Sequence, residues 1–333
     1  MKPTLALFTG DPGGIGPEIV AKILADEEVR DAANYILIGS RPMIERGMDV
    51  AGQRMAFEHV DPRRPKGDEL PVQLARWDGD ADTDFELGNV DPRNGAHMLA
   101  GLALGLKLCV DGIADAMCVA PLNKSALKAG GMKHPDEINY FVEVLGFTGK
   151  ATEFNVNDKL WTARVTSHVP LKDVSSLITH EKVLNGISML HEGLSKAGYD
   201  KPRIAVCGLN PHNGESGAFG MEEIDVIRPA VEAARQRGFN VHGPLPSDTA
   251  FVQAIRPEGG FDGVLTMYHD QGQIAMKLMS FGRGVTVHYG LPMVVTTTSH
   301  GTAYDIVGQG IATPAALKNA ALMAARMGSE SAS

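Results

Sequence analysis

The sequence is poor in cysteine and in aromatic side chains, and it has no long apolar run. Its three cysteines, Cys109, Cys118 and Cys207, are odd in number, lack CxxC spacing and each sit in an apolar stretch. Small buried thiols in a reducing cytoplasm fit that pattern; a disulfide framework does not. Aromatics are 6% of 333 residues, too few for a stacking platform for single-stranded nucleic acid. Basic residues are outnumbered, 31 Lys and Arg against 40 Asp and Glu, for a net charge of −9. That balance argues against a general nucleic-acid surface, which needs a clustered basic face. No apolar stretch approaches the roughly 18 residues of a membrane span. The N-terminal "MKPTLALFTGDPGG" reads as a first strand rather than a signal peptide. What remains is an ordinary soluble balance, 44% hydrophobic and 21% charged, in a chain long enough for two domains.

Short apolar runs alternate with segments of helical period. "TLALFTG" (4–10), "NYILIGS" (34–40), "ADAMCVAP" (114–121), "TARVTS" (162–167), "RIAVCGLN" (203–210) and "GVLTMYH" (263–269) predict strands. Helices are expected from about Gly16, over 94–112, within 174–198, over 221–238 and from Thr313, an N-cap followed by Pro314. The 94–112 helix is apolar all round and is expected to be buried. This alternation predicts an α/β fold with largely parallel sheets, in which ligands collect at the carboxyl ends of strands. Residues 61–92, rich in Pro, Asp and Gly, read as irregular surface with a short edge strand at "PVQLARW", and as a place where the chain crosses between domains. The tail "SESAS" is expected to be disordered.

Three predicted strands end close to a histidine: His168 in "RVTSHVP", His212 in "VCGLNPHNGESG" and His269 in "LTMYHDQG". One such histidine is usually structural. Three at one sheet edge point to a metal site, because neutral imidazoles are common ligands for Zn and related ions. Asp248 in "GPLPSDTAF" is a fourth candidate, or else the N-cap of the next helix. "TGDPGGIGPEI" (9–19) is neither a GxGxxG fingerprint nor a P-loop. Its Gly13 and Gly14 let backbone N–H groups approach an anion or cofactor at a helix N-terminus, or simply make a tight turn. "TTTSHGTAYDIVGQGIATP" (296–314) gathers small and hydroxyl residues around His300 and Gly301, room for a flat ligand such as adenine or for a plain surface loop. "VAPLNKSALKAGG" sets Asn123 and Lys124 where a strand meets a helix, suited to an anionic ligand or to solvent.

With "GDPGGIGPE", "NGA", "APLNK", "TSHVPL", "GLNPHNGE", "GPLPSDTAF", "MYHDQG", "FGRGV", "GLP" and "HGTAYDIVGQG" in this order, the chain resembles the 4-hydroxythreonine-4-phosphate dehydrogenase (PdxA) family from about residue 3 to 325. That family is similar in fold to isocitrate and isopropylmalate dehydrogenases. The resemblance implies two α/β domains with an active-site cleft between them. One comprises 1–90 with about 240–330 on the cofactor side; the other, about 91–239, is for dimerisation and substrate. It implies oxidation of a secondary alcohol β to a carboxylate by NAD or NADP, followed by decarboxylation. It also implies a divalent metal, Zn or else Mg, Co or Mn, held by His168, His212 and His269, and a homodimer whose subunits share the site. Lys277 is then a substrate clamp or base with Asp248 beside it, and the "HGTAYD" loop, with His300, Gly301, Thr302, Ala303 and Asp305, holds the adenosine.

The resemblance breaks where substrate is recognised. Glu137 and Ile138 fall where the family has a substrate-binding His-Thr pair, Thr286 where it has Asn, and Val295 where it has Arg. Arg is the strongest of the phosphate donors, so these positions predict altered recognition of a distal phosphate. The alternative substrate is an unphosphorylated hydroxy acid or a cis-dihydrodiol carboxylate. More remote alternatives are a three-His metal hydrolase or aldolase, and a binding protein without catalysis.

Overall fold

The computed structural model of the chain describes residues 2–80, 85–157, 160–280 and 282–329. The tail beyond Ser329 and residues 81–84 of the expected irregular region lie outside the described residues. In chain order the strands are β1 (Thr4–Phe8), β2 (Asn34–Ile38), β3 (Glu58–Val60), β4 (Val72–Ala75), β5 (Ala116–Val119), β6 (Thr152–Asn157), β7 (Leu160–Arg164), β8 (Ile204–Cys207), β9 (Val241–Leu245), β10 (Gly263–Thr266), β11 (Val285–Tyr289) and β12 (Val294–Thr298). The chain divides into two compact units, Met1–Ala151 with Val285–Ser333, and Thr152–Gly284. The boundaries expected near 91 and 239 lie elsewhere than this division. β5 pairs with β1 and stays in the first unit, while β9 and β10 both pair with β8 and keep 240–284 in the second.

In the first unit the strand order is β3-β4-β2-β1-β5-β12-β11. Neighbours run parallel except β11, which is antiparallel to β12. β1 and β2 are apolar runs buried almost throughout, as strands covered on both faces must be. The short strand in "PVQLARW" is interior rather than an edge: β3 and β2 flank β4, whose four residues are all buried. The helix expected to be buried all round is Pro92–Val110, and it is one-sided. His97, Met98, Gly101, Leu102, Gly105 and Leu106 face the core, while Lys107 and Val110 are exposed. Its Gly95 permits a close helix–helix approach, since a Cβ there would stand 1.9 Å from the Ala126 carbonyl oxygen. The last helix, Ala315–Ser329, packs on the sheet, with Thr296 Oγ1 donating to the Ala320 carbonyl at 2.9 Å.

In the second unit the order is β6-β7-β10-β8-β9. β6 is antiparallel to β7 and the other neighbours are parallel. Its core includes Leu160, Ala205, Cys207, Phe251, Val264 and Met276. The helix expected within 174–198 is two, Val174–Leu177 and His180–Lys196. The break falls at Ile178, which is extended, and Thr179 then caps the longer helix by accepting from Lys182 N–H. No helix among the described residues is long and apolar enough to cross a membrane.

Candidate active site

The second unit arranges its chemistry by strand order. β7, β10 and β8 are consecutive parallel neighbours. His168 follows β7, His269 follows β10, and His212 follows β8. All three therefore belong to the carboxyl ends of adjacent strands, where α/β sheets place ligands. The His168 and His269 rings stand 5.8 Å apart, centroid to centroid. Both line a pocket of about 300 Å³ with Thr166, Leu171, Val174 and Tyr268. His269 opens the helix His269–Ser280, and its Nδ1 lies 2.8 Å from Asp270 Oδ1.

His212 is different. It begins a left-handed turn: His212, Asn213, Glu215 and Ser216 all have positive φ, as does Gly214 between them. Left-handed backbone costs an L-residue about 1–2 kcal/mol, so neighbouring bonds must hold the turn. Glu223, fully buried, accepts from Leu209 N–H at 2.6 Å and from Asn210 N–H at 2.7 Å. Asn213 Nδ2 donates to the Pro244 carbonyl at 2.5 Å. Glu222 joins this loop to the chain after His168, accepting from Asn210 Nδ2 at 2.7 Å and from Ser175 Oγ at 2.5 Å. The Ser175 bond pulls the Glu222 carboxyl below its ordinary range. The exposed His212 ring lies beside Phe219 and Glu215.

Imidazoles at three neighbouring strand ends fit a divalent ion in donor type. They are not gathered round one point: no group of three His, Cys, Asp or Glu side chains poised to hold a metal occurs among the described residues. Asp248 follows β9, the next strand over, and is exposed in the first turn of Ser247–Ala254. The N-cap there is Pro246, so the alternative role expected for Asp248 does not apply. Lys277 is exposed and does not line the pocket. Eight residues carry it about 12 Å along the helix from His269 and about 80° round it.

The first unit repeats the logic. β1, β5 and β12 are consecutive parallel neighbours, and each is followed by one of the motif loops. The glycine loop follows β1, Asn123 and Lys124 follow β5, and the 299–306 loop follows β12. They touch. Ile15 N–H donates to the Thr302 carbonyl at 3.0 Å, and a Cβ at Gly14 would stand 2.7 Å from Thr302 Cβ. Asn123 caps the helix Lys124–Ala129 through Ala126 N–H and reaches Thr302 Oγ1 at 3.4 Å. Buried Asp11 accepts from Gly13 N–H at 2.8 Å and from Tyr304. His300 Nδ1 lies 3.0 Å from the Gly301 carbonyl, Gly301 and Asp305 are exposed, and Ala303 is left-handed with φ 44°.

Glu137, in the first turn of Glu137–Leu145, comes within 3.6 Å of Lys124, with Ile138 half-buried next to it. Thr286 lies on β11 opposite Thr297. Val295 is fully buried on β12 in the hydrophobic core. Gln271, Glu222, Glu223, Asp11 and Tyr304 did not stand out as site residues in the sequence. For Gln271 and Glu222 a polar residue near a helix start reads as solvated, although "DQG" and "MEE" were visible.

The chain matches the family model described as pyridoxal phosphate biosynthetic protein PdxA over residues 31–324. A Pseudomonas aeruginosa protein, provisionally named 4-hydroxythreonine-4-phosphate dehydrogenase 2, is 47% identical over 98% of this chain and 97% of its own. The 4-hydroxythreonine-4-phosphate dehydrogenase of Geobacter metallireducens is 40% identical over 98% of this chain and 96% of its own. The crystal structure of the Klebsiella pneumoniae enzyme of that name superposes with a TM-score of 0.83 at 32% identity, covering 98% of both chains. At this identity and coverage the chain belongs to the PdxA family of NAD-dependent dehydrogenases acting on a CH–OH group.

Proposed function

We propose that the chain oxidises the secondary alcohol of a phosphorylated 3-hydroxy acid of the 4-hydroxythreonine-4-phosphate type with NAD, and that the β-keto acid then loses CO₂. Family membership sets the hydrolase, aldolase and non-catalytic readings aside. The observation that carries the reading is the order β7-β10-β8 with a histidine after each strand. The family uses a divalent metal, and in this chain His168, His212 and His269 are its proposed ligands, with Zn the ion their chemistry favours. When bound, such an ion supplies Lewis acidity toward a hydroxyl and an enolate.

The chain's own groups do the rest. Gly13, Gly14 and the loop His300–Asp305 would hold NAD, which would supply a hydride acceptor for the carbinol carbon. Asp248 or Lys277 takes the hydroxyl proton. Cleavage of the carboxylate C–C bond leaves its electron pair on the α-carbon, which is then protonated. Lys124 and Asn123 bind the anionic end of the acid. Exposed Ile274 and Leu278, one turn apart on the His269 helix, support a homodimer, and three free cysteines suit a reducing cytoplasm.

A second reading is favoured by two observations. Lys124 is already engaged by Glu137, and no Lys or Arg lines the pocket beside His168 and His269. An unphosphorylated hydroxy acid or a cis-dihydrodiol carboxylate needs neither. The test is NADH production at neutral pH with added Zn, Co, Mn or Mg, comparing phosphorylated and unphosphorylated acids. Preference for a phosphorylated acid selects the first reading and the reverse selects the second. No NADH from any acid with any metal overturns both.

A further inference from the structure

We propose that Gln271 is a positioning residue that fixes the spacing of the loops bearing His269, His212 and Asp248. The inference rests on the reading above that this sheet edge is the reactive one. Gln271 is the third residue of the helix His269–Ser280. Its Oε1 accepts from Met267 N–H at 2.7 Å, two residues before His269. Its Nε2 donates to the Gly208 carbonyl at 2.9 Å, where β8 gives way to the loop carrying His212. The same nitrogen donates to Ser247 Oγ at 2.9 Å, next to Asp248. Ser247 Oγ donates in turn to the Gly208 carbonyl at 2.8 Å, which closes a triangle.

One primary amide thus spans the ends of β10 and β8 and the turn after β9. It uses its oxygen and both N–H donors, the full set such a group offers apart from a second lone pair. No apolar contact substitutes for this, because three separate chain segments must be held at defined distances by one directional group. Gln271 does not line the pocket, so it acts through the histidines. Its removal unties the end of β10 from the ends of β8 and β9, which stay joined to each other through Ser247, Gly208 and Asn213, and a misplacement of 1 Å at a reacting group costs about 100-fold in rate.

The test uses the full chain with Gln271→Met, which keeps length and loses every bond, and Gln271→Glu, which keeps the Met267 acceptor and loses both donors. Ser247→Ala and His168→Ala accompany them. We expect kcat to fall about 30-fold in both Gln271 variants, on the scale of a sub-ångström displacement, with KM for NAD unchanged. The visible band of Co²⁺ added to metal-free protein should shift or weaken in the same variants, with Ser247→Ala intermediate. Parent-like kcat and Co²⁺ band in Gln271→Met overturn the inference, as does a proportional loss of kcat, NAD affinity and thermal midpoint, which marks a general loosening. If His168→Ala abolishes the Co²⁺ band while Gln271→Met leaves it intact, the inference alone fails. If the parent shows no Co²⁺ band, the reading beneath it fails and the inference falls with it.

Discussion

The Tyr304 hydroxyl donates to the buried Asp11 carboxylate at 2.5 Å, latching the 299–306 loop to the glycine loop. Burial pushes the Asp11 carboxyl above its usual range against the opposing pull of Tyr304, Gly13 and Asn94. Tyr304→Phe keeps the ring and deletes the donor. A hydrogen bond to a charged group contributes about 1.5–3 kcal/mol, so KM for NAD should rise about 10-fold while kcat holds. Steady-state NADH production at saturating acid reads both constants, and an unchanged KM would sever this latch from cofactor binding.

His97 predicts a pH dependence of stability. Its ring is enclosed by Trp77 at 5.1 Å, Phe85 at 4.8 Å and Phe8 at 6.2 Å. Burial lowers its pKa from 6.5 to about 4. The unfolded chain therefore binds a proton that the folded chain refuses between those values, so stability falls as pH drops from about 6.5 toward 4. Between pH 7 and 5 the loss from this group is about 2 kcal/mol. His97→Phe should lose about that much less over the same interval in urea titrations. Equal losses in parent and variant would place the acid sensitivity elsewhere.

Gly95 explains "NGA". The helix Pro92–Val110 meets Lys124–Ala129 backbone to backbone, and a Cβ at Gly130 would likewise stand 2.3 Å from the Gly95 carbonyl carbon. Backbone cannot swing aside as a side chain does. Gly95→Ala should destabilise by about 3 kcal/mol and displace Asn123 and Lys124. A thermal midpoint within a degree of the parent would show that the two helices are free to separate.

Glu137→Gln releases Lys124 from its ion pair. The pair is partly solvated, with Lys124 56% exposed, and such pairs contribute at most about 1 kcal/mol to stability. The expected effect is on specificity: kcat/KM for phosphorylated over unphosphorylated acids should rise about 10-fold, equal to about 1.4 kcal/mol. An unaltered ratio would remove Glu137 from substrate selection.

Much of this was legible before any coordinates. Alternating periods predict the α/β class, and β1, β2, β5 and β8 fall where their apolar runs lie. The histidines were visible as strand-end residues. Their adjacency was not, because the order β7-β10-β8 pairs segments roughly sixty to a hundred residues apart, and nothing local records a partner. Nor was the left-handed turn at His212: only one of its five residues is glycine, so the usual sign of positive φ is weak. Val295 had a warning in the sequence, since it sits in the β-branched run "VVTTT" of a strand flanked on both sides. Gln271 and Glu223 escaped notice because a polar side chain near a helix start is ordinary, and only the coordinates reveal which distant amides and carbonyls it meets.

The division of the chain also dictates an order of events during synthesis. The unit Thr152–Gly284 is one unbroken stretch, while the other needs residues from before it and from after it. When the ribosome has delivered the first 151 residues, β5 still lacks β12, its neighbour in the finished sheet. The histidine-bearing half is therefore complete on the nascent chain first. The flank of β5 that β12 covers waits through its translation for a partner strand made only after it.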